Sequence, residues 1–258
     1  METHLPYSIL IAEDDPFSRL MTSALLEQVL PGCQIFEAEN GNEAVAMHNR
    51  YNPDLILMDV QMPEMNGFEA TNAIRKQHIN NHLPIIAVTA ETGKTEHDKI
   101  LASGMNLVLV KPFSKDGLLE VLNTWFENNK ALNASTVVSQ VAENTAIVQN
   151  LEKISHFDRA ELLERLDNDE ELLEEMLESI KGYLPVFNVR IKELLAEGNT
   201  ERLKSIGHEL KGAALTGGFT YLGKLAYSLE KTTDVSPAYL AGLTDEINSE
   251  INLLLSII

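Results

Sequence analysis

A chain of 258 residues with 44% hydrophobic content has enough apolar material for packed cores and suits two domains of ordinary size. Its formal net charge of −19 at pH 7 argues against a direct nucleic-acid binder, which needs a basic patch. The single cysteine, Cys33, excludes an intrachain disulfide and fits a reducing compartment.

The opening METHLPYSILIAEDD has no basic region followed by a long apolar stretch, and no run is long enough to span a bilayer, so a cytoplasmic protein with no membrane partner is expected. Tyr7–Ala12, Gln34–Ala38, Leu55–Asp59, Ile85–Thr89 and Leu107–Val110 read as five strands. SILIA, LILMD and IIAVT are apolar almost throughout, as parallel strands buried on both faces require. Helical patterns fall between the strands at Pro16–Val29, Gly41–Tyr51, Phe68–Lys76, Lys94–Ala102 and Lys115–Asn128. Asp15 precedes a proline at a first helical position, and Asn40 and Ser114 stand before two other helices as caps. This βα alternation predicts an α/β domain with a doubly wound parallel sheet over residues 1–128.

Residues 129–151, rich in Asn, Ser, Thr and Ala, read as a linker that is partly helical at most. From there to residue 258 no strand is predicted. Phe157–Leu166, Asp169–Glu197, Thr200–Leu215, Tyr221–Thr232 and Pro237–Ile257 read as the helices of an all-α bundle, with Pro185 expected to kink or interrupt the second.

Carboxylates gather where strands end: Glu13, Asp14 and Asp15 after the first, Asp59 at the close of the third. Ligands of doubly wound sheets bind beyond the carboxyl ends of the strands. If the strand order is 2-1-3-4-5, the first and third strands are neighbours, and Glu13, Asp14 and Asp59 converge. Acids so close repel one another unless a cation joins them, and hard oxygen donors suit Mg2+. Thr89 and Lys111, at the ends of the fourth and fifth strands, complete a set suited to a phosphoryl group on Asp59. Asp15 reads as a helix cap.

ILIAEDDP, LILMDVQMPEMNGFEAT, PIIAVTA and LVLVKPF resemble the motifs of the response-regulator receiver domain, a flavodoxin-like fold with strand order 2-1-3-4-5. The resemblance implies Asp59 as phosphoacceptor, Glu13, Asp14, Asp59 and the backbone carbonyl of Gln61 as Mg2+ ligands, Thr89 and Lys111 as the assisting hydroxyl and amine, and a cis peptide between Lys111 and Pro112. Ala90 leaves a path to the phosphoryl group, and Glu91 and Gln61 flank the approach of water. Many receivers carry an aromatic three residues before the lysine; Val108 stands there instead.

On a helical wheel Leu203, Ile206, Leu210, Ala213 and Ala214 form one stripe, and His208 lies roughly opposite. His208 is therefore expected to face solvent, with Lys211 one turn on as a cation within reach and Gly212 leaving bare backbone for a partner. Gly217 and Gly218 are expected to end the helix. His48, His78, His82 and His97 are expected to be solvated, and His156 structural. IGHELKGAALTGGFTYLGKLAYSLE resembles the histidine phosphotransfer (HPt) motif, with its histidine, lysine, glycine and second glycine on His208, Lys211, Gly212 and Gly218.

The chain thus reads as a receiver joined to an HPt bundle over 152–258, exchanging phosphoryl groups with a separate histidine kinase and other receiver domains. No Gly-rich nucleotide loop marks an ATP-dependent kinase. The alternative is a phosphorylation-controlled binding module whose bundle is a partner or dimerisation surface with His208 idle.

Overall fold

The computed structural model describes residues 7–77, 83–90, 93–128 and 156–258. His78, His82, Glu91 and the linker at 129–151 lie outside the described residues. The chain divides into two units, Met1–Val148 and Gln149–Ile258.

In the first unit β1 (Ser8–Ala12), β2 (Gln34–Ala38), β3 (Leu55–Asp59), β4 (Ile85–Thr89) and β5 (Leu107–Val110) alternate with α1 (Pro16–Val29), α2 (Gly41–Tyr51), α3 (Gly67–Gln77), α4 (Lys94–Ala102) and α5 (Lys115–Asn128). The five strands form one parallel sheet in the order β2-β1-β3-β4-β5. Every residue of β3 and β4 is buried, which is why their sequences lack a polar alternation. The edge strand β2 alone carries exposed Gln34 and Glu37.

Local chemistry starts the helices where expected. Asp15 accepts the Ser18 N–H at 2.6 Å, and Asn40 accepts that of Glu43 at 2.9 Å. At α3, Asn66 and Glu69 exchange side chain-to-backbone hydrogen bonds at 3.0 and 3.1 Å, a reciprocal cap.

The second unit holds α6 (Arg159–Arg165), α7 (Glu170–Glu197), α8 (Thr200–Thr216), α9 (Thr220–Lys231) and α10 (Pro237–Ile257). The stripe Leu203, Ile206, Leu210, Ala213 and Ala214 is buried, facing a core that includes Met176, Ile180, Phe187, Ala226, Ile247 and Ile251. α8 ends at Thr216, with Gly217 as cap and Gly218 at φ 73°, as the two glycines predicted. Pro185 does not interrupt α7, which runs for 28 residues. Leu184 and Phe187 on either side of it are buried in the bundle, and this packing outweighs the lost backbone bond. Among the described residues no helix is long and apolar enough to cross a membrane.

Candidate functional site

Sheet register brings the first set of predicted residues together. Ala12 pairs with Met58, Asp59 with Val88, and Thr89 with Val110. Glu13, Asp59, Thr89 and Lys111 therefore stand at successive strand ends along one edge of the sheet. Glu13, Asp59 and Thr89 are all buried. Glu13, Asp14 and Asp59 each turn a carboxylate oxygen to within 4.8 Å of the others.

The lysine closes this group. Lys111 Nζ donates to Asp59 Oδ2 at 2.5 Å and also to Glu13 Oε2. Burial alone would lower the Lys111 pKa, but the charges of Asp59 and Glu13 outweigh it and hold the ammonium well above its ordinary range. Burial pushes the Glu13 carboxyl well up, against the pull of Lys111 and with the repulsion of Asp59 added. The Gln61 N–H donates to Asp59 Oδ1 at 2.8 Å. Three acids within reach of one another, two of them on a single ammonium, make a pocket rich in oxygen donors, so the residues present fit a hard divalent cation such as Mg2+.

The peptide between Lys111 and Pro112 is cis, and the Lys111 N–H donates to the Thr89 carbonyl at 2.8 Å. Val108 is half-buried beside β4, paired with Ala87. Asp15 is the cap it was predicted to be.

The second candidate lies on α8. The His208 side chain is 25% exposed, less open than the wheel implied. The difference comes from α9, whose Glu230 carboxylate lies 3.3 Å from His208 Nδ1. Lys211 is buried rather than free at the surface: its Nζ donates to the other Glu230 oxygen at 2.6 Å and lies 5.8 Å from the Tyr227 ring centroid. Burial opposes the Glu230 charge, yet hydrogen bonds from His208, Lys211 and Lys231 hold its carboxyl far below the usual carboxylate range. At Gly212 an added Cβ would meet nothing within 4 Å, so the helix surface there is open. At Gly207 the same atom would lie 2.7 Å from the Glu230 nitrogen and 3.0 Å from the Ala226 carbonyl oxygen. Gly207 is what lets α9 come close enough to put Glu230 on His208.

Two further residues had no local sequence signal. Glu230 becomes visible only when α8 and α9 are folded back on each other about Gly218, which sets positions about equally far from the turn side by side. Gly67, after Asn66, packs its α-carbon against the phosphoacceptor strand: a Cβ there would lie 2.1 Å from the Asp59 carbonyl oxygen. His48, expected to be solvated, is 2% exposed, because with Gly41 and Ala44 it forms the inward stripe of α2. His97 is half-buried. His156 takes the structural place expected of it, with Nδ1 2.9 Å from the buried Glu250 carboxylate.

A profile of the response regulator receiver domain matches residues 9–123. Protein PilH of Pseudomonas aeruginosa is 36% identical over 115 residues, which cover 45% of this chain and 93% of PilH. The signal transduction histidine-protein kinase BarA of Escherichia coli is 28% identical over 255 residues, covering 96% of this chain; the chain spans only 27% of the length of BarA. Among solved structures, the receiver domain of the sensor histidine kinase PA1611 from Pseudomonas aeruginosa, with a magnesium ion coordinated in its active site cleft, is 33% identical, covers 48% of this chain and 99% of its own, and superposes with a TM-score of 0.44. The profile match and the kinship with nearly the whole of PilH make this chain a member of the response regulator receiver domain family.

Proposed function

We propose that this chain carries phosphoryl groups in a two-component phosphorelay, on Asp59 of a receiver domain (1–128) and on His208 of an HPt bundle (152–258) joined by the linker at 129–151. The observation that carries the reading is the convergence of Glu13, Asp14 and Asp59, with the ammonium of Lys111 on Glu13 and Asp59.

In the first step an Asp59 carboxylate oxygen attacks the phosphorus of a phosphohistidine on a separate histidine kinase. The O–P bond forms, the N–P bond breaks, and the donor imidazole leaves with the electron pair. Lys111, already on Asp59 Oδ2, and the Thr89 hydroxyl at the adjacent strand end stabilise charge on the transferring oxygens. Glu13, Asp14, Asp59 and the Gln61 carbonyl would hold a Mg2+ ion, which would neutralise more of that charge.

In the second step the His208 imidazole exchanges the group with an aspartyl phosphate of a receiver domain. A proton held at Nδ1 toward Glu230 leaves the Nε2 lone pair free to form the N–P bond as the aspartate oxygen departs. The open helix surface at Gly212 supports close approach of such a partner. The BarA match supports the pairing of the two units, since it runs through the bundle as well as the sheet domain.

Phosphotransfer with the wild type, Asp59→Asn and His208→Gln, run with and without Mg2+, tests the reading. It expects acid-labile, alkali-stable label that disappears in His208→Gln. Label on Asp59 alone, with a change in partner affinity, would favour the binding-module alternative instead.

A further inference from the structure

The loop that carries Glu13 and Asp14 is held from outside the acidic pocket. The Glu13 N–H donates to the Ala38 carbonyl at 2.9 Å, and the Glu13 carbonyl accepts from Arg19 Nη1 at 2.6 Å. Arg19 stands in the first turn of α1, with its own N–H on the Asp15 carbonyl at 3.0 Å and only 11% of its side chain exposed. The rest of its guanidinium faces β2 and the loop after it: Nη2 lies 3.0 Å from Glu39 Oε1, and Nε 3.4 Å from Glu37 Oε2.

Glu37 and Glu39 are 48% and 67% exposed. Ion pairs to such exposed partners add little to fold stability. What they do is orient the planar fork of Arg19, so that one nitrogen points inward at a single carbonyl. That carbonyl belongs to the peptide plane that also contains the nitrogen and α-carbon of Asp14. Fixing the plane fixes the direction in which the Asp14 side chain leaves the backbone.

The geometry points to Arg19 as a positioning residue for the cation-binding acids, setting the Glu13–Asp14 peptide plane so that both carboxylates reach the site with Asp59. This rests on the reading of that pocket as a Mg2+ site. It carries a sign that separates positioning from charge. Removing a cation near an acidic pocket would, by electrostatics alone, tighten the binding of a divalent ion. Loss of positioning weakens it.

The test is calorimetric titration of the full chain with Mg2+, for the wild type, Arg19→Met and Arg19→Lys, with the Asp14 amide resonance followed by NMR and thermal unfolding recorded without metal. Arg19→Met is expected to bind Mg2+ about tenfold more weakly, to shift the Asp14 amide, and to unfold close to the wild-type midpoint. Arg19→Lys keeps the charge but offers one nitrogen to three acceptors, and is expected to fall between the two. If Arg19→Met does not fold, Arg19→Lys decides the matter: weaker binding supports positioning, and wild-type affinity overturns it. Absence of Mg2+ binding by the wild type overturns the reading of the pocket and this inference with it. Wild-type binding that Arg19→Met leaves equal or tighter overturns this inference alone.

Discussion

Two alanine substitutions five residues apart in α8, on different faces of the helix, should have opposite effects. Gly207 and Gly212 each lose helix propensity relative to alanine, a cost of about 1 kcal/mol apiece. At Gly212 the added methyl meets nothing within 4 Å, so Gly212→Ala recovers that energy, and amides of α8 should become about fivefold more protected from hydrogen exchange. At Gly207 the methyl would lie 2.7 Å from the Glu230 nitrogen, where about 3.4 Å or more is normal, and backbone cannot yield as a flexible side chain can. Overpacking costs about 1–3 kcal/mol, and a clash this close against backbone belongs at the upper end, above the propensity gain, so Gly207→Ala should reduce protection. Function should not follow stability. Gly212→Ala, though more stable, should slow transfer to His208, because its methyl occupies the cleared approach. Hydrogen exchange of α8 peptides by mass spectrometry, beside transfer rates from a labelled receiver, reads both effects. Lower protection in Gly212→Ala refutes the packing argument, and an unchanged transfer rate in that variant refutes the landing-surface argument.

Glu230→Gln should destabilise the bundle by about 1–3 kcal/mol, because it leaves the buried Lys211 ammonium without its charged partner; chemical denaturation followed at α8 checks this. Because the Glu230 carboxyl is depressed on folding, its contribution is present above the ordinary value near 4.5 and is lost as pH falls through the lower folded value, so wild-type α8 should show an acid-side loss of protection that Glu230→Gln lacks. Gly67→Ala forces a methyl to 2.1 Å from the Asp59 carbonyl oxygen, and should cost the sheet domain roughly 3 kcal/mol or more and abolish phosphorylation of Asp59, read by thermal unfolding and label incorporation. Pro185→Ala should restore a backbone hydrogen bond in α7 and raise its exchange protection, by up to about 3 kcal/mol in the most favourable case.

The elements whose formation depends on local pattern were legible. LILMD and IIAVT have the continuous apolar run expected of strands covered on both faces, and their alternation with capped helices pointed to the parallel sheet. The acidic pocket followed because parallel strands bring all their carboxyl ends to one edge, so Glu13, Asp59, Thr89 and Lys111 needed only the strand order to meet. What escaped were contacts made between helices. Glu230 is an ordinary charged residue of an amphipathic helix until α9 packs on Gly207, and only then does Lys211 turn from a free cation into a buried one. His48 is polar by type, yet its place on the Gly41–Ala44 stripe turns it inward. Pro185 shows the same lesson from the other side, since a local breaking preference yielded to the apolar face on which α7 is packed.

The central claim is that the converged acids make Asp59 a phosphoacceptor. Incubating the full chain with radiolabelled acetyl phosphate and Mg2+, then trapping with hydroxylamine, tests it directly. Hydroxylamine-sensitive label is expected on Asp59, lost in Asp59→Asn and when Mg2+ is chelated. Wild-type protein that takes up no label, or equal labelling of Asp59→Asn, would contradict it.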